Sequence, residues 1–243
     1  MRWCAFIMVA VLLLLCVASA SSLLQDNFAL LESLGIEIPV DAKDAISKQI
    51  DDILSTMPDE IRDDYGYDRD SFSDITTILA WLGYGETDYE TWITTPYTDD
   101  VYAFDSEMYD IEGAYLDLLD AVERLSGGGA DIDNCEVQIS EELFLQGTGE
   151  FPIVFTLNGR ECRYMAELQT DWMDCEIIDY LNRILKDQGI DKRIWSMYDG
   201  GQGLVIFYND DRWAAEFERV TGCGLDCGTG SNLTIEGFLD FFR

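Results

Sequence analysis

The chain has no histidine among its 243 residues. That absence removes Ser-His-Asp and Cys-His catalysis, and with them the common imidazole metal sites. Positive charge is also scarce: 15 lysines and arginines stand against 48 aspartates and glutamates, a net charge of −33. Such a chain repels phosphate backbones and anionic membrane surfaces, so no nucleic acid is expected as a partner. No glycine-rich phosphate loop stands between a strand and a helix. The run Gly200-Gly201-Gln202-Gly203 falls inside a hairpin and reads as its turn. After the first residues, no apolar run is long enough to span a bilayer.

What is present begins with a leader. Arg2 supplies a charged start, Cys4 to Val17 is apolar, and Ala18-Ser19-Ala20 has the small-x-small form of a cleavage site. Residues 1–20 therefore read as a signal peptide, and the expected location is secreted or extracellular, with no membrane insertion once the leader is removed. Leu15 before Cys16 is the wrong size for the usual lipoprotein site, which argues against lipid anchoring there. The leader holds Arg2, one of the 15 basic residues, and no acid, so 14 bases remain against 48 acids, a net of −34. It also holds Cys4 and Cys16, which leaves five cysteines, an odd number. An exported chain can form disulfides, and Cys223-Gly-Leu-Asp-Cys227 is the best candidate for one. A zinc knuckle is the rival, but structural zinc wants close cysteine pairs at both ends, and only one such pair exists.

Residues 151 to 224 organise the chain. Phe151 to Leu157 alternates, Asn158-Gly159 follows, and Arg160 to Leu168 returns. Asn-Gly tolerates the two positive φ angles of a type I′ turn. A two-residue turn fixes the register, pairing Leu157 with Arg160, Phe155 with Cys162, Ile153 with Tyr164 and Phe151 with Ala166. Met173, Ile177, Leu181, Ile184 and Leu185 then make a helical stripe that ends at Gly189. A second hairpin pairs Trp195 with Phe207 and Met197 with Val205. A last helix, from Asp210 or Asp211, buries Trp213, Phe217 and Val220 and stops at Gly222. The expectation is an α+β chain: an N-terminal helical region, then a ββαββα unit forming a four-to-five-stranded antiparallel sheet with two helices on one face. The fifth strand would be Cys135 to Ile139.

Residues 21–126 read as helices. Phe28, Leu31 and Leu34 suggest one ending at Gly35. Ile46, Ile50, Ile53 and Met57 suggest a second stopped by Pro58, and Phe72 to Leu82 a third stopped by Gly83. A fourth, the strongest, runs from Phe104 through Met108, Ile111, Tyr115, Leu118 and Val122 to Leu125. Gly127-Gly128-Gly129 reads as a linker, placed at 127–130, with the sheet domain at 131–243. A short helix from Ile235 to Phe242 and a glycosylation pattern at Asn232-Leu-Thr234 close the sequence.

Two stretches carry candidate chemistry. Asp63 to Asp74 is dense in hard oxygen ligands, and Asp63, Asp64, Asp68, Asp70 and Asp74 are the calcium candidates. The EF-hand spacing is not met: counted from Asp68, Phe72 takes the third ligand position and Ser73 the glycine position. The plain alternative is a solvated acidic loop. Downstream, Tyr84, Tyr89, Trp92 and Tyr97 sit among acids. Their apolar bodies and polar tips suit sugar rings or peptide chains. Tyr109 and Tyr115 fall on the helical stripe and read as core. A glycosidase would need two carboxylates at a set separation; with 48 acids no pair stands out.

The leading function is thus an exported, strongly acidic, non-catalytic binding or interaction module for a glycan or a protein, with no cofactor unless calcium fills the acidic loop. A carboxylate-dependent hydrolase acting on a cell-surface or extracellular polymer is the first alternative. A structural surface protein without a small ligand is the second.

Overall fold

The computed structural model describes residues 22–88, 90, 93–107 and 109–228. The expected signal peptide, Tyr89, Trp92, the Asn232 pattern and the expected 235–242 helix lie outside them. Four elements open the described chain: α1 (Leu23–Ser33), α2 (Val40–Thr56), α3 (Asp59–Tyr65) and α4 (Ile75–Tyr84). A two-stranded ribbon of β1 (Glu86–Asp88) and β2 (Ile93–Thr95) follows. Then come β3 (Tyr102–Asp105), α5 (Ile111–Ser126), β4 (Ile132–Val137) and α6 (Glu141–Gln146). The last elements are β5 (Thr148–Leu157), β6 (Arg160–Gln169), α7 (Glu176–Asp187), β7 (Arg193–Tyr198), β8 (Gly203–Asn209) and α8 (Asp211–Thr221). Among the described residues no helix is long and apolar enough to cross a membrane.

The fold is α+β. The first hairpin has the expected register, including Leu157 opposite Arg160, Phe155 opposite Cys162 and Phe151 opposite Ala166. Asn158 and Gly159 both take positive φ, at 50° and 75°. The Asn158 side chain also ties the turn to its neighbour, its Oδ1 accepting from Asp131 N at 2.8 Å. The second hairpin pairs Trp195 with Phe207 and Met197 with Val205.

The single sheet is corrected to two three-stranded sheets. One is ordered β4-β5-β6 and the other β3-β8-β7. The second includes β3, of which Phe104 and Asp105 fall in the stretch expected to be helical. Strand β3 pairs along β8 from Tyr102 opposite Ile206 to Asp105 opposite Gly203, which makes β8 the central strand of its sheet. In β8, Gly203 to Tyr208 are all buried. A continuous apolar run such as Leu204 to Tyr208 marks a strand covered on both faces.

The two helices expected on one face, α7 and α8, accordingly lie on opposite faces of the β3-β8-β7 sheet. Phe104, Ile194, Leu204 and Ile206 face a core shared with Tyr115, Leu118, Phe151, Phe155, Ile177 and Leu181, so α7 lies on this side. Ala103, Met197, Val205 and Phe207 face a second core with Phe28, Ile46, Leu79 and Phe217, so α8 lies on the other. Asn182, buried on α7, is satisfied by the Ile194 backbone: its Nδ2 donates to Ile194 O and its Oδ1 accepts from Ile194 N, both at 2.8 Å.

Two further positions differ from expectation. The α4 helix runs past Gly83 to Tyr84, because Gly83 is where the helix touches β3: a Cβ there would stand 2.4 Å from Ala103 N. Tyr109 precedes α5 and is fully exposed rather than core. Gly127 caps α5 with a φ of 58°, and both cores contain residues from either side of this glycine turn.

Candidate functional site

The site is assembled by α4, β2, β3 and α5. Asp74 caps α4, accepting from Thr77 N at 3.0 Å and Thr77 Oγ1 at 2.6 Å. Ile78, Leu79 and Leu82 bury the helix in the second core. Gly85 ends it at a φ of 68°, so close to the ribbon that a Cβ would stand 1.9 Å from Thr95 O. Only glycine fits both the angle and the space. Asp110 caps α5 by accepting from Gly113 N at 3.0 Å. The stripe Ile111, Tyr115, Leu118, Leu119 and Val122 holds α5 on the first core. Asp117, Asp120, Ala121 and Arg124, at spacings of three and four, share another face.

That face and β3 enclose a cleft of about 480 Å³, walled by Tyr84, Thr94 and Pro96 on one side and Asp117, Asp120 and Arg124 on the other. Its volume is that of a small-molecule site. On its floor the rings of Tyr102 and Phe104 stack with centroids 5.9 Å apart. The Arg124 guanidinium carbon lies 5.8 Å from the Tyr102 ring centre, a cation–π contact. Arg124 Nη1 also donates to Thr98 O at 3.2 Å and lies 3.4 Å from Asp99 Oδ1.

Burial raises the Asp117 carboxyl above its ordinary range, and Asp120 and Asp110 push it the same way. The Tyr102 phenol is pushed up to about 12 by burial, with Asp117 next in effect and Arg124 opposing. The cleft therefore offers two carboxyl groups, that of Asp117 raised by burial, one guanidinium and aromatic ring surface. These groups can accept hydroxyl hydrogens, donate to an oxygen and pack against the face of a ring.

Of the sequence-expected aromatic residues, Tyr84 and Tyr97 lie among the described ones, and they line different pockets. Tyr84 lines the cleft, but its hydroxyl is taken by Asp199. Tyr97 is half-buried against the second core and lines a separate groove of about 470 Å³ with Lys48, Asp52 and Glu86. In the acidic stretch, Asp63 and Asp64 are exposed on α3. Asp68 accepts from Ser71 N and Oγ, both at 3.0 Å, which holds its carboxyl below the usual range. Asp70 opens a 3-10 turn, Asp74 caps α4, and the Arg69 guanidinium is directed to Asp51 and Ser47 on α2. Among the described residues no three acids or cysteines are grouped to hold a metal.

No disulfide joins Cys223 to Cys227. Cys223 Sγ lies 3.9 Å from Thr76 Oγ1, and Cys227 O accepts from Asn182 Nδ2 at 3.0 Å. Between them, Asp226 exchanges backbone hydrogen bonds with Ser196 at the edge of β7. Both ends of the expected loop are thus anchored to other elements.

Sequence reasoning missed Tyr102, Asp117, Asp120 and Arg124. A signal existed: Val101 and Ala103 alternate with Tyr102 and Phe104 between acidic turns, the mark of a short strand. No protein-family model, no curated protein and no solved structure matches the chain.

Proposed function

We propose that the chain is an exported, strongly acidic, non-catalytic binding module that seats a glycan in the cleft between β3 and α5. The observation that carries this reading is the composition of the cleft: two carboxylates, a guanidinium and tyrosine ring surface around about 480 Å³. Sugars present hydroxyls to carboxylates and arginine, and apolar ring faces to aromatics. Export is argued from the leader at 1–20, and the net charge of −33 disfavours nucleic acid as a competing ligand. The test is a glycan array followed by calorimetry on the wild type and on Asp120→Asn and Arg124→Gln. At least one glycan should bind, and each variant should weaken it about tenfold or more, a loss of about 1.4 kcal/mol. A wild type that binds no glycan, or variants that bind as tightly, would overturn the reading.

One observation favours the hydrolase as a second reading. Asp117 shares the cleft with Asp120, and burial, then the Asp120 charge, raises its carboxyl, the direction that a general acid needs. Release of reducing ends from a bound polysaccharide, abolished by Asp117→Asn, would replace the binding reading with this one.

A further inference from the structure

A second surface stands apart from the cleft. It lies where the start of α5 meets the link from β4 into α6. Helix α6 sends Leu143 inward against the first core and leaves Phe144 and Leu145 outside, at 59% and 77% exposure. Its cap explains the orientation: Ser140 Oγ accepts from Leu143 N at 3.1 Å and fixes the first turn. Across from it, Tyr109 is fully exposed just before the α5 cap. Between them runs a groove of about 340 Å³ with Tyr109, Ile139 and Phe144 as apolar walls and Asp110, Glu112 and Glu141 at its rim.

Exposed apolar side chains gathered around a groove mark an interaction site more often than isolated ones do. The rim decides the occupant. Among the described residues neither Glu112 nor Glu141 has an ion-pair partner. A second copy of this chain would set one acidic rim against another, which costs affinity. A cationic partner gains from the same charges, both in steering and in pairing at the rim.

We propose that this groove docks a cationic segment of a partner protein, with a leucine or phenylalanine anchor flanked by lysines or arginines. The anchor would pack between Tyr109 and Phe144, and the flanking charges would meet Glu112 and Glu141. This site is independent of the glycan reading and stands or falls separately from it.

The test uses the full chain and a fluorescein-labelled amphipathic Lys–Leu peptide, with a Glu–Leu peptide of equal apolar content as its counterpart. Anisotropy at 0.15 M salt should give saturable binding of the Lys–Leu peptide alone. The double variant F144S/L145S should weaken it about tenfold or more, and E112Q/E141Q should weaken it and flatten its salt dependence. Asp44→Asn with Glu60→Gln, exposed acids on α2 and α3, should leave it unchanged. All these positions are exposed, so the variants should melt cooperatively like the wild type. Absence of saturable binding overturns the proposal. So does equal binding by F144S/L145S, which would mean attraction to bulk charge, and so does equal binding of the Glu–Leu peptide. A dimer in sedimentation that F144S/L145S dissolves would assign the groove to a second copy and overturn it as well.

Discussion

The hydroxyl of Tyr84 donates to Asp199 Oδ2 at 2.9 Å, joining the last residue of α4 to the turn between β7 and β8 across 115 residues of chain. The other oxygen of Asp199 accepts from Gly201 N at 2.7 Å and Gly203 N at 3.0 Å. A Cβ on Gly203 would stand 2.4 Å from both Tyr84 Oη and Phe104 O. Burial, then the Asp199 charge, holds the phenol protonated far above its ordinary pKa. A residue expected from sequence to meet a ligand thus fixes the wall of the cleft to the central sheet.

Removing that hydroxyl should be felt as a lost hydrogen bond to a charged group. Tyr84→Phe should destabilise the chain by about 1.5–3 kcal/mol in urea unfolding, with the ring packing kept. A loss near zero would mean that solvent replaces the phenol at Asp199.

Two glycines separate backbone strain from crowding. Gly159 has a φ of 75° with nothing within 4 Å of where a Cβ would stand, whereas Gly83 lies in a helix with Ala103 N 2.4 Å from that position. Gly159→Val should cost about 1–3 kcal/mol through conformation alone. Gly83→Ala should cost about 1–3 kcal/mol through overpacking, and it should also change the near-ultraviolet signal of Tyr84 and Tyr102. Equal spectra for both variants would remove the helix–strand contact at Gly83 as the cause.

Local chemistry was legible in the sequence. Asn158-Gly159 fixed each pair of the first hairpin, and α7 and α8 lie where the apolar spacing placed them, although Met173 precedes α7 and, of the residues expected to be buried on α8, Phe217 is buried while Trp213 and Val220 are half-buried. What escaped depends on partners far away or on competing periods. Phe104, Met108 and Ile111 keep a helical spacing, so β3 was hidden at the head of α5. The buried run Leu204 to Tyr208 contains an alternation, which masked its second covered face. Asp59 to Tyr65 form a helix after Pro58, but a 7-residue helix with no buried side chain carries no apolar stripe to reveal it. The cleft escaped because Asp117, Asp120 and Arg124 resemble any solvated helix face until Tyr102 is set opposite them.

The proposed division at 127–130 has a direct test. Strand β3 precedes the glycine turn and pairs with β8, which follows it. Tyr115, also before the turn, packs edge-on against Phe151, with ring centres 5.7 Å apart. Cleavage at Gly127 to Gly129 should therefore leave two pieces that co-elute in gel filtration and separate only in denaturant. Release of a folded fragment starting near residue 131 would instead show an independent sheet domain.

Stability should fall with rising pH through one carboxyl. Asp179 on α7 is pushed up to about 6 by burial; Asp226, Glu176 and Asp174 add to the rise, and Arg183 opposes it. Its Oδ1 lies 1.4 Å from where a Cβ on Gly228 would sit, so there is little room for hydration. A raised carboxyl favours the folded state while protonated. Its contribution is complete below the unfolded value near 3.8 and is lost as pH climbs through about 6. Asp179→Asn should flatten the fall in melting temperature across this window and make the chain more stable than wild type above it. Superimposable profiles would dismiss Asp179 as the titrating group.

Salt separates general repulsion from a specific ion site. A net charge of −33 places like charges within a Debye length of one another, and that length is about 30 Å at 0.01 M salt and about 8 Å at 0.15 M. Self-repulsion opposes the compact state more than the unfolded one. Sodium chloride should therefore raise the melting temperature, most steeply between those two concentrations. Calcium at equal ionic strength would add a further term of RT ln(1 + [L]/Kd) only if a site binds it. In the stretch from Asp63 to Asp74, Asp68 is engaged by Ser71 and Asp74 by Thr77, and a calcium ion would have to displace these contacts. The expected outcome is a rise with sodium and no further rise with calcium. A melting temperature flat in both salts would sink the repulsion argument. A calcium-specific rise, lost in Asp68→Asn, would show that the acidic stretch exchanges its turn contacts for a metal ion.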